Sequence, residues 1–288
     1  METVHILNPA AGQGGALKFS DNENVYITKS KGDAKRYVLD YVTKNGAANF
    51  IVYGGDGTLN EVVDGILSSG VRGCTLSAVP TGTGNDLVRT VKETADAYVD
   101  ADILKVGDGY SVNAVNTGFD LDVVLWAAEY KKRPFISGSL AYVLGIVTTL
   151  FRAYGKYMKI TYTDADGNEG GYEGDCLLCV ASNGRYYGGG FKCSPIADIT
   201  DGLIDLLIVK KVSRLKFISL VGLYQKGKHI DKQTGAPIEK FKNCVVFSKC
   251  KQVTIEGIDS LCLDGEVTDA TYADISVIPR ALRVEKTK

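Results

Sequence analysis

The chain is poor in several residue types that mark specialised proteins. Its 288 residues hold two histidines, one tryptophan and six prolines. His5 and His229 have no matched partners along the chain and read as structural or surface residues. Formal net charge is −1, so no wholesale electrostatic attraction to nucleic acid is implied. No internal repeat or low-complexity linker is present. The start, Met1 to Leu7, has no basic region followed by a long apolar stretch and does not read as a secretion signal. The longest apolar region, Ser137 to Phe151, carries glycines and threonines and is too short to span a bilayer. Seven cysteines, an odd number without a leader, point to reduced thiols in a cytosol. Cys176 and Cys179 share a Cys-x-x-Cys spacing, but they sit in an apolar run and no second pair stands at zinc spacing. They read as buried strand residues. A Gly-x-x-x-x-Gly-Lys-Ser/Thr phosphate loop is also missing, so any bound nucleotide would rely on amides, threonines and a metal. These absences leave a folded cytoplasmic protein that can still visit a membrane surface.

What is there begins with Gly54-Gly55-Asp56-Gly57-Thr58. An apolar run, Phe50 to Tyr53, reads as a buried strand before it, and Leu59 to Leu67 carries helical apolar spacing after it. Strand, glycine turn and helix start point backbone N–H groups at a phosphate. Asp56 is odd in a pure anion site, because a carboxylate repels phosphate. It makes sense if it orients a cation, a hydroxyl or backbone amides; a capped tight turn is the plain alternative. Strands are also predicted at Val4 to Leu7, Val25 to Ile27 and Leu76 to Val79. A helix is predicted over Asp33 to Lys44, ended by Gly46. This βαβ pattern argues for a parallel sheet with helices on its faces. Three loops, Asn8 to Gly15, Gly54 to Thr58 and Thr81 to Asp86, follow three strands and can converge on one crevice.

The pattern changes after about Ala101. Hairpins are predicted at Ile103–Val106 with Tyr110–Val115 and at Lys156–Thr163 with Tyr172–Ala181. Helices are predicted at Phe119–Tyr130, Ser137–Tyr154 and Arg214–Lys226, the last with Leu215, Ile218, Val221 and Gly222 inward. Short strands recur from Cys244 to Ile278, at Cys244–Phe247, Val253–Glu256, Ser260–Leu263 and Ile275–Ile278. The fold class is thus α/β: an N-terminal nucleotide-binding domain with a parallel sheet, then a C-terminal, mostly antiparallel β-sandwich domain. The expected domains are 1–111 and 112–288, with the extreme C-terminus free to return to the first.

Any one glycine loop is weak evidence, but the ordered set is not. Asn8-Pro9 with a glycine loop, Gly54 to Thr58 followed by Asn60-Glu61, and Pro80-x-Gly82-Thr83-x-Asn85-Asp86 come first. Asn183-Gly184, Gly188-Gly189-Gly190, Pro195, Asp201-Gly202-Leu203-Ile204-Asp205 and Asp264-Gly265-Glu266 follow. Over nearly its whole length the chain resembles the diacylglycerol kinase catalytic-domain family, and within it the soluble bacterial lipid kinases. Sphingosine and ceramide kinases share the pattern; NAD kinases share the Gly-Gly-Asp-Gly turn more distantly. The resemblance implies transfer of the γ-phosphate of ATP to a lipid hydroxyl, with Mg²⁺ required. Diacylglycerol or a related lipid is the expected acceptor, met at a membrane surface.

The resemblance also implies residue roles. Asn8, Gly12, Gly14, Gly55, Gly57, Thr58, Glu61, Thr81, Gly82, Thr83 and Asn85 line the nucleotide. Asp56 is catalytic, Asp86 and Asp120 organise Mg²⁺, and Asp264 is the general base. Asp201 and Leu203 match a structural Mg²⁺ loop in bacterial members. Arg185 and Lys192, on either side of the glycine triplet, could reach phosphates, and Glu266 could meet substrate. Phosphoryl transfer needs this kind of set: phosphate donors, a divalent cation and a carboxylate near the attacking hydroxyl. Two departures stand out. Gln13 occupies a position where relatives often carry Lys or Arg, with Lys18 as a substitute, and the segment after Asp86 is short. An alkyl groove is expected from the helices around Phe119 to Trp126 and Phe135 to Phe151, lined by Tyr130, Phe135, Tyr142 and Phe151. The acceptor could instead be a sphingoid base or a polar hydroxyl, as in NAD kinases, or catalysis could be lost. A homodimer stays open.

Overall fold

The computed structural model describes residues 1–12, 17, 19–81, 85–136, 138–152 and 154–286, with residues 138, 139 and 142 described by their backbone only. The first part is a parallel sheet. Strands β1 (Thr3–Leu7), β2 (Asn24–Ile27), β3 (Asn49–Gly54) and β4 (Thr75–Pro80) lie in the order β2-β1-β3-β4. Helix α1 (Asp33–Asn45) buries Ala34, Val38 and Val42, one stripe at helical spacing, and ends at Gly46, whose N–H bonds the Val42 carbonyl at 2.9 Å. Helix α2 (Asp56–Ser68) follows β3 directly and α3 (Asp86–Lys92) follows β4. Their apolar faces meet Val4, Ile6, Phe50, Val52 and Leu76 in one core.

The second part is antiparallel. It contains β5 (Tyr98–Val106), β6 (Gly109–Ser111), β7 (Ala114–Gly118), β8 (Lys156–Asp164), β9 (Glu169–Ser182), β10 (Ile204–Lys210), β11 (Val245–Glu256), β12 (Ser260–Leu263), β13 (Glu266–Asp269) and β14 (Tyr272–Glu285). Strand β8 pairs with both β9 and β11, while β10 also lies between those two. The strands therefore fold over one another around Met158, Ile160, Cys179, Ala181, Leu206, Ile208, Val253 and Ile255. Helices α4 (Phe119–Lys131), α5 (Gly138–Arg152) and α6 (Arg214–Gln225) complete the chain. All seven cysteines are buried and free, and Cys176 and Cys179 lie within β9.

Strand β14 belongs to both parts. Its first half pairs antiparallel with β11, and Arg283–Glu285 pair parallel with β4. Strand β5 lines it on both sides of a bulge between Ile278 and Leu282. Buried Asp102 holds that bulge: its Oδ1 accepts from Arg280 N at 2.7 Å and its Oδ2 from Gly202 N at 2.6 Å.

Three readings of the sequence need correction. The two short strands placed at 244–247 and 253–256 are one strand, β11, because Ser248, Lys249 and Cys250 stay paired with β10. The predicted strand Tyr110–Val115 breaks at Ser111, because the amides of Val112, Asn113 and Ala114 turn to the Asp264 carboxylate. Helix α6 is rotated from its predicted facing: Leu215 is 81% and Ile218 56% exposed, while Phe217, Leu220, Leu223 and Tyr224 pack inward. Both stripes of α6 are apolar, so periodicity alone does not choose between them.

Candidate active site

The loops after β1, β3 and β4 stand at the carboxyl ends of adjacent parallel strands. Asn8 ties the first two together. Its N–H bonds the Tyr53 carbonyl at 3.0 Å, and its Nδ2 donates to Thr58 Oγ1 at 2.9 Å. Helix α2 begins at Gly55 with no side chain capping its first-turn amides, the arrangement that receives an anion. Gly57 carries no Cβ, and one added there would sit 2.7 Å from Glu266 Oε1. Asn85 is the N-cap residue of α3, and Thr81 N donates to the Gly54 carbonyl at 3.4 Å. The expectations for Gln13, Gly14, Gly15, Lys18, Gly82, Thr83 and Gly84 fall outside the described residues.

Four of the predicted carboxylates line one cavity of about 480 Å³: Asp56, Asp86, Asp120 and Asp264. Asp56 Oδ1 accepts from Asp86 N at 2.9 Å. Burial, then the charge of Asp86, raises the Asp56 carboxyl to about 7. Asp86 accepts from Arg89 Nη1 and from Gly189 N, each at 2.8 Å, so the glycine triplet closes onto the first part of the chain. Asp120 accepts from Asn116 Nδ2 at 2.7 Å and from Leu121 N at 2.9 Å. Burial lifts it to about 6 against those bonds and one from Tyr187. Gly118 makes this placement feasible. Its φ is +110°, and a Cβ there would lie 2.4 Å from the Leu177 carbonyl oxygen.

Asp264 differs from the other three. Its Oδ1 accepts from Ser111 Oγ at 2.8 Å, Asn113 N at 3.0 Å and Ala114 N at 2.9 Å. Its Oδ2 accepts from Val112 N at 2.7 Å and Asn60 Nδ2 at 3.0 Å. A carboxylate offers about four lone-pair sites. Five donors therefore saturate this one, and burial raises its pKa against their pull. Asp264 and Gly265 both have positive φ, 49° and 95°, as the central pair of a tight hairpin turn between β12 and β13 requires. Asp264, expected as the general base, uses its acceptor capacity to hold the chain from Ser111 to Ala114 in place.

Other expected ligands are also committed elsewhere. Glu61, expected near the nucleotide, caps the start of α1, accepting from Gly32 N at 2.7 Å and Ala34 N at 3.0 Å. Arg185 and Lys192, the expected phosphate contacts, both bond Glu93, at 2.8 Å each. Burial alone would raise Glu93, but Lys192, Tyr186 and Arg185 together hold it down at about 2. Glu266 pairs with Lys31 beside Gly57. His229 is fully buried, bonds the Cys193 carbonyl at 2.9 Å and is held neutral by burial at about 4.

The Asp201–Leu203 turn does not fit the expected structural Mg²⁺. Asp201 Oδ1 accepts from Leu203 N at 3.0 Å, and Lys249 Nζ lies 2.6 Å from Asp201 Oδ2 and 3.1 Å from Asp205 Oδ2. A lysine ammonium supplies the positive charge there. Removing it in Lys249→Met leaves buried Asp205 facing Asp201, at a cost of about 2 kcal/mol once partial exposure of the lysine is discounted. The expected result in calorimetry is a melting temperature lower by roughly 4–8 °C. An unchanged value would show that this cluster contributes nothing.

Beyond the acidic floor the cavity turns apolar. Its walls are Phe119, Val123, Ile146, Leu150, Phe217 and Val221, drawn from α4, α5 and α6. Tyr224 OH donates to Tyr187 OH at 3.0 Å at the boundary. The expected groove lining was misplaced. Phe135 and Phe151 point outward, Tyr130 lines a separate outer groove, and the side chain of Tyr142 lies outside the described residues. Sequence reasoning missed Asn60, Ser111, Asn113, Tyr187 and Phe217. Asn60 carried a signal, since it sits inside the glycine-turn motif; Ser111 and Phe217 carried none.

Residues 3–116 match the diacylglycerol kinase catalytic domain, and residues 113–286 match the YegS C-terminal NAD kinase beta sandwich-like domain. A protein of Pectobacterium atrosepticum named "Probable lipid kinase YegS-like" is 34% identical over 238 residues, covering 74% of this chain and 76% of its own. A protein of the same name from Alcanivorax borkumensis is 28% identical over 275 residues, covering 90% and 85%. A crystal structure of a diacylglycerol kinase from Bacillus anthracis superposes with a TM-score of 0.67 at 22% identity, covering 99% of this chain and 97% of that one. At that identity the likeness concerns the fold.

Proposed function

From the premise that this chain belongs to the diacylglycerol kinase catalytic-domain family, we propose that it transfers the γ-phosphate of ATP to the hydroxyl of a diacylglycerol-like lipid. One observation carries the reading. A single cavity has carboxylates at one end, beside the uncapped start of α2, and apolar helix faces at the other. That is the shape demanded by an acceptor with a polar hydroxyl and an alkyl body. A polar acceptor such as NAD would leave Phe119, Leu150 and Phe217 unmatched.

The phosphates dock on the first-turn amides of α2 and the Asn8–Thr58 bridge. Asp86 and Asp120, which line the cavity, are the residues that would hold Mg²⁺. Among the described residues no three acidic or sulfur ligands converge to cage a metal, which suits an ion that takes one or two carboxylates and completes its shell with phosphate and water. When bound, Mg²⁺ neutralises the charge that builds on the transferring phosphoryl group. Asp56 accepts from the backbone amides of Asp86 and Leu87 and lines the cavity. The acceptor oxygen bonds phosphorus, the bond to the ADP oxygen breaks, and the hydroxyl proton passes to Asp56 late in the transfer. Asp264 acts through Ser111 to Ala114 as a positioning residue.

The test is incubation of the protein with labelled ATP, Mg²⁺ and a panel of lipids in mixed micelles. Label is expected in a lipid with a free hydroxyl, and chelation is expected to abolish it. Label appearing only in a water-soluble alcohol would overturn the lipid reading.

A further inference from the structure

Resting on the lipid-acceptor reading, we propose that the face formed by α4, α5 and the start of α6 docks on an anionic bilayer leaflet. Helix α5 is the first reason. Leu140, Val143, Val147 and Phe151 recur on one side of it and are 46%, 54%, 47% and 69% exposed. A soluble helix normally turns that stripe inward. The stripe continues through Val124 and Leu125 on α4 and Leu215 and Ile218 on α6, all more than 40% exposed.

The turn between α4 and α5 is the second reason. Phe135 is fully exposed and holds φ at +69°, a conformation that a bulky side chain rarely adopts. Nothing among the described residues covers it.

Charge selects the occupant. Lys131, Arg152 and Lys216 on these helices, and Arg133 in the turn after α4, have no ion-pair partner among the described residues. Glu129 is the exposed carboxylate among them, and Lys132 already pairs with it. Arg133 lies over the Tyr130 ring at 5.4 Å and Arg152 over the Trp126 ring at 5.6 Å, flanking a groove between α4 and α5. The whole chain is close to neutral, so this face is a local cationic excess. An apolar stripe with Trp and Tyr rimmed by cations matches the headgroup boundary of an anionic membrane. A second protein copy would bring the same cations against themselves.

The face is also continuous with the cavity. Val124 and Ile218 are both exposed and part of the cavity wall. A lipid entering between α4 and α6 keeps its chain among apolar side chains while its hydroxyl reaches the acidic floor.

The test is sedimentation of the full chain with vesicles of phosphatidylcholine alone, or with 30 mol% phosphatidylglycerol. Binding is expected to the anionic vesicles and to fall steeply with salt. Phe135→Ser with Val143→Ser should lower the vesicle partition coefficient more than about tenfold. Arg133→Gln with Arg152→Gln should lower it roughly tenfold or more, at about fivefold per cation. Phosphorylation of a monomeric short-chain diacylglycerol should be unchanged in both pairs, since none of the four residues lines the cavity. If the wild type phosphorylates that lipid but does not bind vesicles, or if the variants bind as well as it does, docking by this face is overturned and the kinase reading stands. If vesicles bind and both pairs reduce binding, docking stands even where no lipid is phosphorylated, and the kinase reading fails alone.

Discussion

Asp56→Asn is expected to slow phosphoryl transfer by at least about 10²-fold and, at pH 8, to raise the melting temperature. The first effect follows from removing a fixed charge and a proton acceptor from a phosphoryl-transfer site. The second follows from the environment. Burial and the neighbouring Asp86 raise the Asp56 carboxyl from 3.8 to about 7. A carboxyl raised in the folded state is favoured in its protonated form. Its contribution to stability is therefore full below about pH 4 and is lost as pH rises through 7. A shift of that size is equivalent to at most about 4 kcal/mol, and cavity water reduces it to about 2. Asparagine keeps the Oδ1 that receives the Asp86 amide and carries no charge. Nucleotide-free, chelator-treated variant should melt roughly 4–8 °C above wild type at pH 8 and level with it at pH 4. Equal melting at both values would mean that Asp56 is paired or hydrated in solution, and near-normal turnover would remove it from the chemistry.

Asp264→Asn is expected to damage structure before chemistry. Five donors converge on this carboxylate, three of them consecutive backbone amides. Whichever way the amide is turned, its NH₂ faces backbone N–H groups. At least two donors lose their acceptor inside a buried site, and each costs about 1–3 kcal/mol. A loss of about 3 kcal/mol or more predicts a melting temperature lower by roughly 6–12 °C. Transfer should fall as well, because Ser111 to Ala114 lead into β7 and so to Asp120. The pH dependence of the residual rate separates the two roles. A positioning residue leaves the profile where it was, whereas loss of a general base flattens its acid limb. A variant as stable as wild type with a flattened profile would restore Asp264 as the base.

The Asp264 region also shows how legible the site was. The sequence marks Asp264-Gly265 both as a hairpin turn and as part of a motif, and both readings hold. What it cannot show is the number of donors around the side chain, because these come from residues 150 to 204 positions away. The partners of Glu61, Arg185 and Lys192 were hidden for the same reason. Each is near the site in sequence or in motif, but its partner is set by packing between distant segments. The glycine turn, α1 and the parallel strands were legible because local spacing fixes them. Helix α6 was not, since two apolar stripes compete and one belongs outside.

Strand β14 has a consequence for how the molecule is made. Residues 283–285 complete the hydrogen bonding of β4, although more than two hundred residues separate the two strands. During synthesis the parallel sheet emerges early with that side of β4 unpaired, an edge that invites association with other chains. It stays open until residues 283–285 have been made. The parallel half therefore closes only after the antiparallel half has been made, and a chain lacking residues 283–285 would leave β4 on an unclosed sheet.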